Sequence, residues 1–407
     1  MALDKVPAAM MSGLLVSETA PSNPGVGQRW YRASTAVTYQ YTNDGTSSFW
    51  LDVSSGGIGT SSERGVDFVG DIDPHSTTAT VANGLVVGSV YYNRENNRHF
   101  VCTTATDNAN VWSGRFTAYG GTVTNITGYR VHTFLSSGTL RIDSSLVSNA
   151  EYLCIAGGGG GGSGYRAGGG GAGGYRNSTV GEITGGGGSA ESRITLSGGK
   201  TYTITVGAGG AGVQTATGNA GGNSSIVGSG VNIVSTGGGG GGGPYTADAD
   251  GNAGGSGGGG IGHDSDPGEA GAASSPTQGY AGGAGSPSNS SPNGQTGGGG
   301  GGAGGTGYAG NSSATGGDGG VGLSSSINGT ATFRGGGGGS QSYGAGNNFP
   351  VGGNGGGADG NFSSSVNGNH ATANTGGGGA GAGSEGSGPT SGNGGSGIVI
   401  IRYAATI

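Results

Sequence analysis

Residues 151–176 read EYLCIAGGGGGGSGYRAGGGGAGGYR and open a segment, Glu151 to Tyr403, in which glycine is the main building material. Residues 1–150 hold 16 of the 109 glycines, and residues 151–407 hold the other 93. Ordering a glycine backbone costs about 0.5–1 kcal/mol more than ordering alanine, so a flexible tether is the default interpretation of such a segment. The arrangement of these glycines argues against a tether.

The glycines occur in runs, and the segments between the runs are rich in Ser, Asn, Thr and Tyr, which is typical of turns and loops. Strand-like apolar segments flank the region, AEYLCIAG at 150–157 and GIVIIRY at 397–403. A linker would not need such strands. The runs are 157–162, 168–171, 185–188, 237–243, 257–260, 297–302, 335–339, 355–357 and 376–379.

Runs of bare glycine have one ordered conformation that suits them, the left-handed helix of the polyproline-II type, which rises about 3.1 Å per residue. Collagen is excluded, because glycine does not recur strictly at every third residue and the chain has only 11 prolines. Helices without side chains approach closely enough for the N–H and C=O groups of neighbours to pair. We therefore predict that the runs are rods in a bundle, joined by loops at its two ends.

Composition limits the classes of function. The apolar fraction is 31%, charged residues are 9%, and the net charge is −7. One large apolar core is therefore not expected, and nucleic acid is a poor partner because phosphate binding depends on clustered Lys and Arg. Arginines near glycine, as in Gly164-Tyr165-Arg166, are too few for an RNA-binding tract. No apolar run approaches the roughly 18 residues of a membrane span, so a membrane-embedded protein is not expected.

The first 120 residues contain an internal repeat. GQRWYRASTAVTYQYTNDGTSSFWLDV from Gly27 matches GSVYYNRENNRHFVCTTATDNANVWSGR from Gly88 at an offset of 61 residues. Each copy predicts a small aromatic β-meander, with Trp50 and Trp112 covering the sheets. We predict an attachment peptide at 1–25 with a helical turn at 6–16, β-modules at 26–56 and 87–120, a connector at 57–86, and a glycine-rich domain at 121–407.

Within the glycine-rich domain, alternating segments predict strands. GYRVHTFLSSGTLRI contains two, SRITL and TYTITV read as a hairpin about Gly198-Gly199, and SSIV and VNIV read as a second hairpin. GIVIIRY does not alternate, so we expect it to be buried on both faces. The predicted fold is mainly β, with an inserted polyglycine-II bundle and almost no α-helix.

Motifs for catalysis and cofactors are absent from the sequence. G-x-G-x-x-G matches arise here from composition alone and lie in no βαβ unit, so nucleotide binding is rejected. The acidic loops IGHDSDPGE and TADADGNA lack the distal Glu of an EF-hand and are interpreted as solvated loops, although cation binding by them stays open. Since no catalytic constellation stands out either, we expect neither an enzyme nor a cofactor.

The ordered pattern EYLCIAGGGGGGSGYRAGGGGAGGYR, TYTITVGAGGAG, GGNSSI and GGSGIVIIRY resembles the glycine-rich domain of bacteriophage tail fibres and tip adhesins. The aromatic modules upstream resemble those in fibres of marine phages, including cyanophages. The resemblance implies a homotrimeric virion protein, extracellular to the host cell, attached to other tail proteins through its N-terminal region. In such adhesins the loops between the rods contact the host surface.

Single aromatic residues in the polar loops fit such contact, because rigid rings supply contact area at low entropic cost. The alternative is that each ring caps a rod of a structural fibre, or of a secreted or cell-surface scaffold. A host-surface glycan or outer-membrane protein is the expected partner, without nucleic acid. The candidate receptor-binding residues, in loops 244–256, 261–296 and 340–354, are Tyr245, His263, Tyr280, Tyr343 and Phe349.

Overall fold

The fold is mainly β, and no α-helix occurs in the part of the chain that the structure describes. The chain divides into two compact units, residues 1–117 and 118–407. Within the described ranges no helix is long and apolar enough to cross a membrane. The computed structural model describes residues 14–16, 19–20, 29–32, 37–43, 48–52, 68–70, 85, 89–93, 98–107, 109–115, 118–142, 147–244, 249–263, 267–287, 295–311, 315–342, 349–362, 365–383 and 388–404.

The first unit contains two four-stranded sheets with the same strand order, and these confirm the predicted meanders. In each sheet the first strand pairs parallel with the second, and the remaining pairs are antiparallel. One sheet comprises β1 (Leu14–Val16), β2 (Arg29–Arg32), β3 (Val37–Asn43) and β4 (Ser48–Asp52), and the other β5 (Phe68–Gly70), β6 (Val90–Asn93), β7 (Arg98–Thr104) and β8 (Val111–Arg115).

The parallel strand at the edge of each sheet was not predicted. The helical turn expected at 6–16 is wrong at residues 14–16, because these form β1 and pair with β2. Residues 6–13 lie outside the described residues. The finer division of this unit into modules and connector stays a prediction.

Equivalent aromatic residues are buried in the two sheets. Trp30 and Tyr91, which are 61 residues apart, are both buried, and Tyr91 meets Phe100 edge to face at 6.4 Å between ring centroids. The predicted covering role of Trp50 and Trp112 falls on side chains outside the described ones.

The second unit contains two antiparallel sheets and a separate hairpin. One sheet has the order β10-β11-β21-β13-β14, with β15 also paired to β13, and the other has the order β18-β17-β16-β12-β9. The strands are β9 (Ala118–Tyr119), β10 (Thr122–Ile126), β11 (Tyr129–Phe134), β12 (Gly138–Ile142), β13 (Val147–Ile155), β14 (Tyr175–Asn177), β15 (Ile194–Leu196), β16 (Lys200–Thr205), β17 (Ser224–Gly228), β18 (Val231–Ser235), β19 (Leu323–Ser325), β20 (Thr332–Arg334) and β21 (Ile398–Ala404).

The last strand lies at the centre of its sheet. β21 is antiparallel to β11 on one side and to β13 on the other, so the two strands that flank the glycine region are direct neighbours. Residues 398–401 are buried, as the unbroken apolar pattern predicts. The core cluster on this sheet comprises Val131, Leu153, Ile155, Tyr175, Ala303, Ile327, Ile398 and Ile400.

One of the two predicted hairpins is confirmed and the other is wrong. β17 and β18 pair with each other across residues 229–230. β15 and β16 do not form the hairpin about Gly198-Gly199, because β15 pairs with β13 while β16 pairs with β12 and β17. The inward-facing residues of both strands are nevertheless buried, since alternation fixes the face of a strand but not its partner.

The glycine runs form rods that are hydrogen-bonded to one another with a three-residue period. Each N–H of 157–162 donates to a different neighbour in turn, and every third donor returns to the same rod. This is the pattern of a helix with three residues per turn. The donors and acceptors are Gly157 to Gly222, Gly158 to Gly395, Gly159 to Gly171, Gly160 to Asn219, Gly161 to Gly392 and Gly162 to Gly168, at 2.8–3.0 Å.

The rod at 168–174 lies at the centre of the bundle. Its N–H groups donate to three rods and its carbonyl groups accept from three others. Both polar groups of nearly every peptide unit are therefore satisfied without water or side chains. The six neighbours are 157–162, 237–243, 256–261, 297–302, 335–341 and 376–383.

Glycine is required at the centre because the rods approach closely. A Cβ at any position of 168–171 would collide with a backbone carbonyl oxygen of a neighbouring rod. The oxygens concerned belong to Gly259, Gly338, Gly159 and Ser256.

Two predicted rods are turns instead. Residues Gly185–Gly187 form a short 3-10 turn in which Gly186 and Gly187 have φ of 75° and 79°, and Gly355 and Gly356 have φ of 111° and 94°. Conversely, mixed segments form rods that the glycine runs did not predict, among them 207–212, 218–222, 280–285 and 390–396.

Candidate recognition surface

The rods run alternately away from the sheets and back to them. The rod at 157–162 leaves β13, and the antiparallel rod at 168–174 returns to β14. The same alternation continues through the bundle, so the polar loops collect at the end opposite the sheets. We call this end the tip. Its described residues are 163–167, 213–217, 243–244, 262–263, 286–287, 295–296, 310–311, 315–316, 341–342, 349–350, 361–362, 365–367, 383 and 388–390.

Hydrogen bonds connect tip segments that are distant in the sequence. The Ser163 hydroxyl donates to the carbonyl of Pro389 at 3.0 Å, and the Gly164 N–H donates to the carbonyl of Ala382 at 3.1 Å. The Gln214 amide reaches the carbonyl of Gly388 at 3.2 Å. The rods therefore hold the tip segments in one fixed arrangement.

A buried polar pair supports the tip from beneath. Arg166 and Gln341 are both buried, and the Arg166 backbone N–H donates to Gln341 Oε1 at 2.9 Å. The Gln341 N–H donates to the Ala167 carbonyl at 3.0 Å. The Arg166 guanidinium lies over the ring of Tyr165, with 3.7 Å between its Cζ and the ring centroid. This pair fixes the first loop of the bundle against the rod at 335–341.

Two aromatic side chains are exposed together at the tip. Phe349 and Phe362 are 46% and 48% exposed, and their rings meet edge to face with 4.9 Å between centroids. Val351 and Val366, which lie near these residues in the sequence, are also exposed, at 57% and 52%. We call the two phenylalanines the aromatic patch.

Hydrogen bonds hold the patch in place. The Gly360 N–H donates to the Pro350 carbonyl at 2.8 Å, and the Asn361 side-chain amide donates to the Val366 carbonyl at 3.4 Å. The patch is therefore a surface built on rods, and its two rings come from segments 13 residues apart in the sequence.

The predicted site residues do not all lie at one end. His263 and Phe349 lie at the tip. Tyr280 lies near the sheets, where its N–H donates at 3.0 Å to Gly302, the residue before the core residue Ala303. Tyr245 and Tyr343 lie outside the described residues. Phe362, another single aromatic residue of a polar loop, was not among the candidates, because nothing in the sequence pairs it with Phe349.

The described titratable groups with shifted pKa values lie in the sheets of the second unit or beside them. Burial raises the pKa of the Cys154 thiol to about 12, which leaves it unreactive as a nucleophile. Burial opposes ionisation of Glu182, but hydrogen bonds from Ser325, Ser326 and Asn177 outweigh it and lower the pKa of that carboxyl.

Charged side chains join the hairpin β19–β20 to the sheet. Arg402 forms an ion pair with buried Glu151 and donates to the carbonyls of Ser326 and Ile327 at 3.3 Å. Glu182 accepts from the N–H and the hydroxyl of Ser326, both at 2.8 Å. These charged groups have a structural role, since each forms an ion pair or hydrogen bonds within the fold.

No group of three or more His, Cys, Asp or Glu that could hold a metal ion occurs within the described ranges. Three of the acidic residues weighed in the sequence, Asp248, Asp264 and Asp266, lie outside them. The described residues of the tip supply aromatic rings and polar groups.

A family model described as a glycine-rich domain matches residues 133–404. This match spans the rods and both sheets except for β9, β10 and the start of β11. A comparison with curated proteins finds no match.

Proposed function

The chain belongs to the glycine-rich domain family, and from this premise we propose that it is a bacteriophage tail-fibre protein that recognises the host cell surface through the tip. The observation that carries the proposal is the bundle, whose rods are joined mainly by hydrogen bonds between backbone groups. Side chains can therefore vary in the tip loops without changing the rods. Loops on a rigid scaffold are where binding residues concentrate in proteins.

Under this proposal the N-terminal unit attaches to other tail proteins and the protein acts in the virion, outside the host cell. We further propose a homotrimer held chiefly by residues 1–125, because β-modules of about 30 residues bury too little surface to be stable alone. The partner is a glycan or an outer-membrane protein of the host. Several copies binding one cell would convert weak single contacts into firm adsorption.

The test is an exchange of tip loops in the virion. Residues 262–267 and 342–349 are replaced by Gly-Ser segments of equal length, and adsorption to host cells is scored. Adsorption should fall strongly, because the described residues 262–263, 342 and 349 lie at the tip. The matched control replaces residues 328–330, in the hairpin turn at the sheet end, and should adsorb normally. Unchanged adsorption by the tip variants would contradict host recognition through the tip. The protein would then be interpreted as a structural fibre segment.

A further inference from the structure

We propose that the aromatic patch is a stacking platform for a neutral sugar ring of a cell-surface glycan. This inference rests on the proposed function and deepens it, since it names the ligand class and the residues that hold it. The observation is the exposed contact between Phe349 and Phe362 at the tip.

The geometry of the two rings suits a sugar. Their planes are inclined by 61°, so together they form a corner rather than a flat stack. The face of a phenyl ring carries partial negative charge, and the C–H groups of a pyranose ring carry partial positive charge. A sugar can therefore lay its C–H face on one ring while the second ring borders it.

The size of the patch also favours a sugar over a protein. Two phenyl side chains about half exposed present on the order of 200 Å² of apolar surface. A stable protein partner needs about 800 Å² on each side, whereas one or two sugar rings are matched by the smaller area.

Two carboxylates border the segment that follows Phe349. Asp318 Oδ1 accepts the N–H of Val351 at 2.6 Å, and Asp359 Oδ1 accepts the N–H of Gly352 at 2.8 Å. A carboxylate has about four acceptor sites, so both retain capacity for sugar hydroxyls. Negative charge at this border disfavours acidic sugars, which is why the proposal specifies a neutral ring.

The test uses the full-length protein and a printed array of neutral and acidic bacterial polysaccharides. The wild-type protein should bind a subset of the neutral glycans. The affinity for the smallest bound oligosaccharide is then measured by calorimetry, which reports single sites without avidity. Phe349→Ala and Phe362→Ala together should weaken binding by about tenfold or more, since two stacking surfaces are lost.

The matched control is Phe333→Ala. Phe333 is 47% exposed, close to the exposure of the two patch rings, but lies in β20 at the sheet end. This variant should bind like the wild type. Phe362→Tyr, which keeps the ring, should also retain binding.

Two results would overturn the inference: no neutral glycan bound by the wild type, or equal affinity after both Phe substitutions in a protein whose thermal unfolding is unchanged. Binding to whole bacterial cells separates this failure from failure of the proposed function. If the variant without both rings still binds cells, only the proposal of a sugar-stacking platform is contradicted. If the wild type binds no cells, the proposed function is contradicted as well.

Discussion

At the scale of single residues, the centre of the bundle excludes even a methyl group. A Cβ at Gly170 would overlap the carbonyl oxygen of Gly159 in the neighbouring rod. Alanine would also restrict the unfolded chain, which by itself stabilises by about 0.4–1 kcal/mol. The collision outweighs that gain, because the rod at 168–174 is surrounded by six other rods, which leave the backbone no room to shift.

We predict that Gly170→Ala lowers the free energy of unfolding by about 2–4 kcal/mol. The control is Gly138→Ala, where the nearest atoms to the new methyl group would be those of Phe134 at 3.8 Å, an ordinary contact. That variant should stay within about 0.5 kcal/mol of the wild type. Denaturant unfolding measures both. Similar stability of Gly170→Ala and the wild type would contradict the close packing of the rods.

A buried histidine gives the fold a pH dependence. His132 Nδ1 lies 2.8 Å from the Gly120 carbonyl oxygen and Nε2 lies 2.9 Å from the Tyr403 hydroxyl. Burial lowers the pKa of His132 below 6.5, the Gly120 hydrogen bond opposes this, and the charge of Arg130 adds to it. As the pH falls through about 6.5, His132 takes up a proton more readily in the unfolded chain than in the folded one. The free energy of unfolding therefore decreases as the pH is lowered.

Denaturant unfolding at about pH 7.5 and about pH 5.5 tests this dependence, because ordinary carboxyl groups titrate mostly below that window. The wild type should lose more stability between the two pH values than His132→Asn does. An equal loss in both proteins would show that His132 does not contribute.

At the scale of elements, β21 completes the domain. It supplies hydrogen bonds to both β11 and β13 and contributes Ile398 and Ile400 to the core cluster. Removing a central strand exposes two sheet edges and opens the core at once.

A chain shortened to end at Gly397 should therefore lose the fold of the second unit, with rapid cleavage of residues 118–397 by a protease at low concentration. A chain shortened to end at Ala404 keeps every residue of β21 and should resist cleavage like the wild type. Resistance of the shorter chain would mean that the bundle holds the domain without β21.

Much of this element order could be predicted from the sequence, and the misses have physical reasons. Runs such as 157–162 and 297–302 were predicted as rods because only an inter-rod bundle satisfies bare glycine backbones. The run at 185–188 was misassigned because glycine takes positive φ as readily as negative φ, and the letters do not distinguish a turn from a rod. Rods such as 207–212 were missed because alanine fits where the Cβ points away from the close contacts.

The candidate site was predicted only in kind. Loops between rods were expected to carry the binding residues, and Phe349 was named. Phe362 meets Phe349 because the chain returns to the tip, and nothing in the sequence pairs the two. Tyr280 was named beside residues that lie at the tip, because the sequence does not state at which end of the bundle each loop lies.

At the scale of the whole molecule, stability comes from backbone hydrogen bonds more than from apolar burial. Apolar residues are 31% of the chain, and the rods bury polar peptide groups against one another. Apolar exposure raises the heat capacity on unfolding and polar exposure lowers it. We predict a heat-capacity change below the usual value of about 12 cal/mol/K per residue, measured by calorimetry on residues 118–407 within the intact protein. A value at or above the usual one would indicate a larger apolar core than the structure contains.

The oligomeric state is a second property of the whole molecule. The proposed trimer predicts three times the monomer mass of 38.3 kDa by light scattering on the intact protein. A monomer at micromolar concentration would refute the trimer and leave the bundle unaffected.

The central claim is that the glycine runs are an ordered, hydrogen-bonded bundle that carries the tip. Amide hydrogen exchange followed by mass spectrometry tests it most directly, because every N–H of 168–174 donates to a neighbouring rod. The account predicts that peptides covering 157–174 and 297–302 exchange as slowly as the core strands β13 and β21. Exchange of the glycine peptides within seconds, beside protected strands, would show that they are a flexible insertion and would contradict the account.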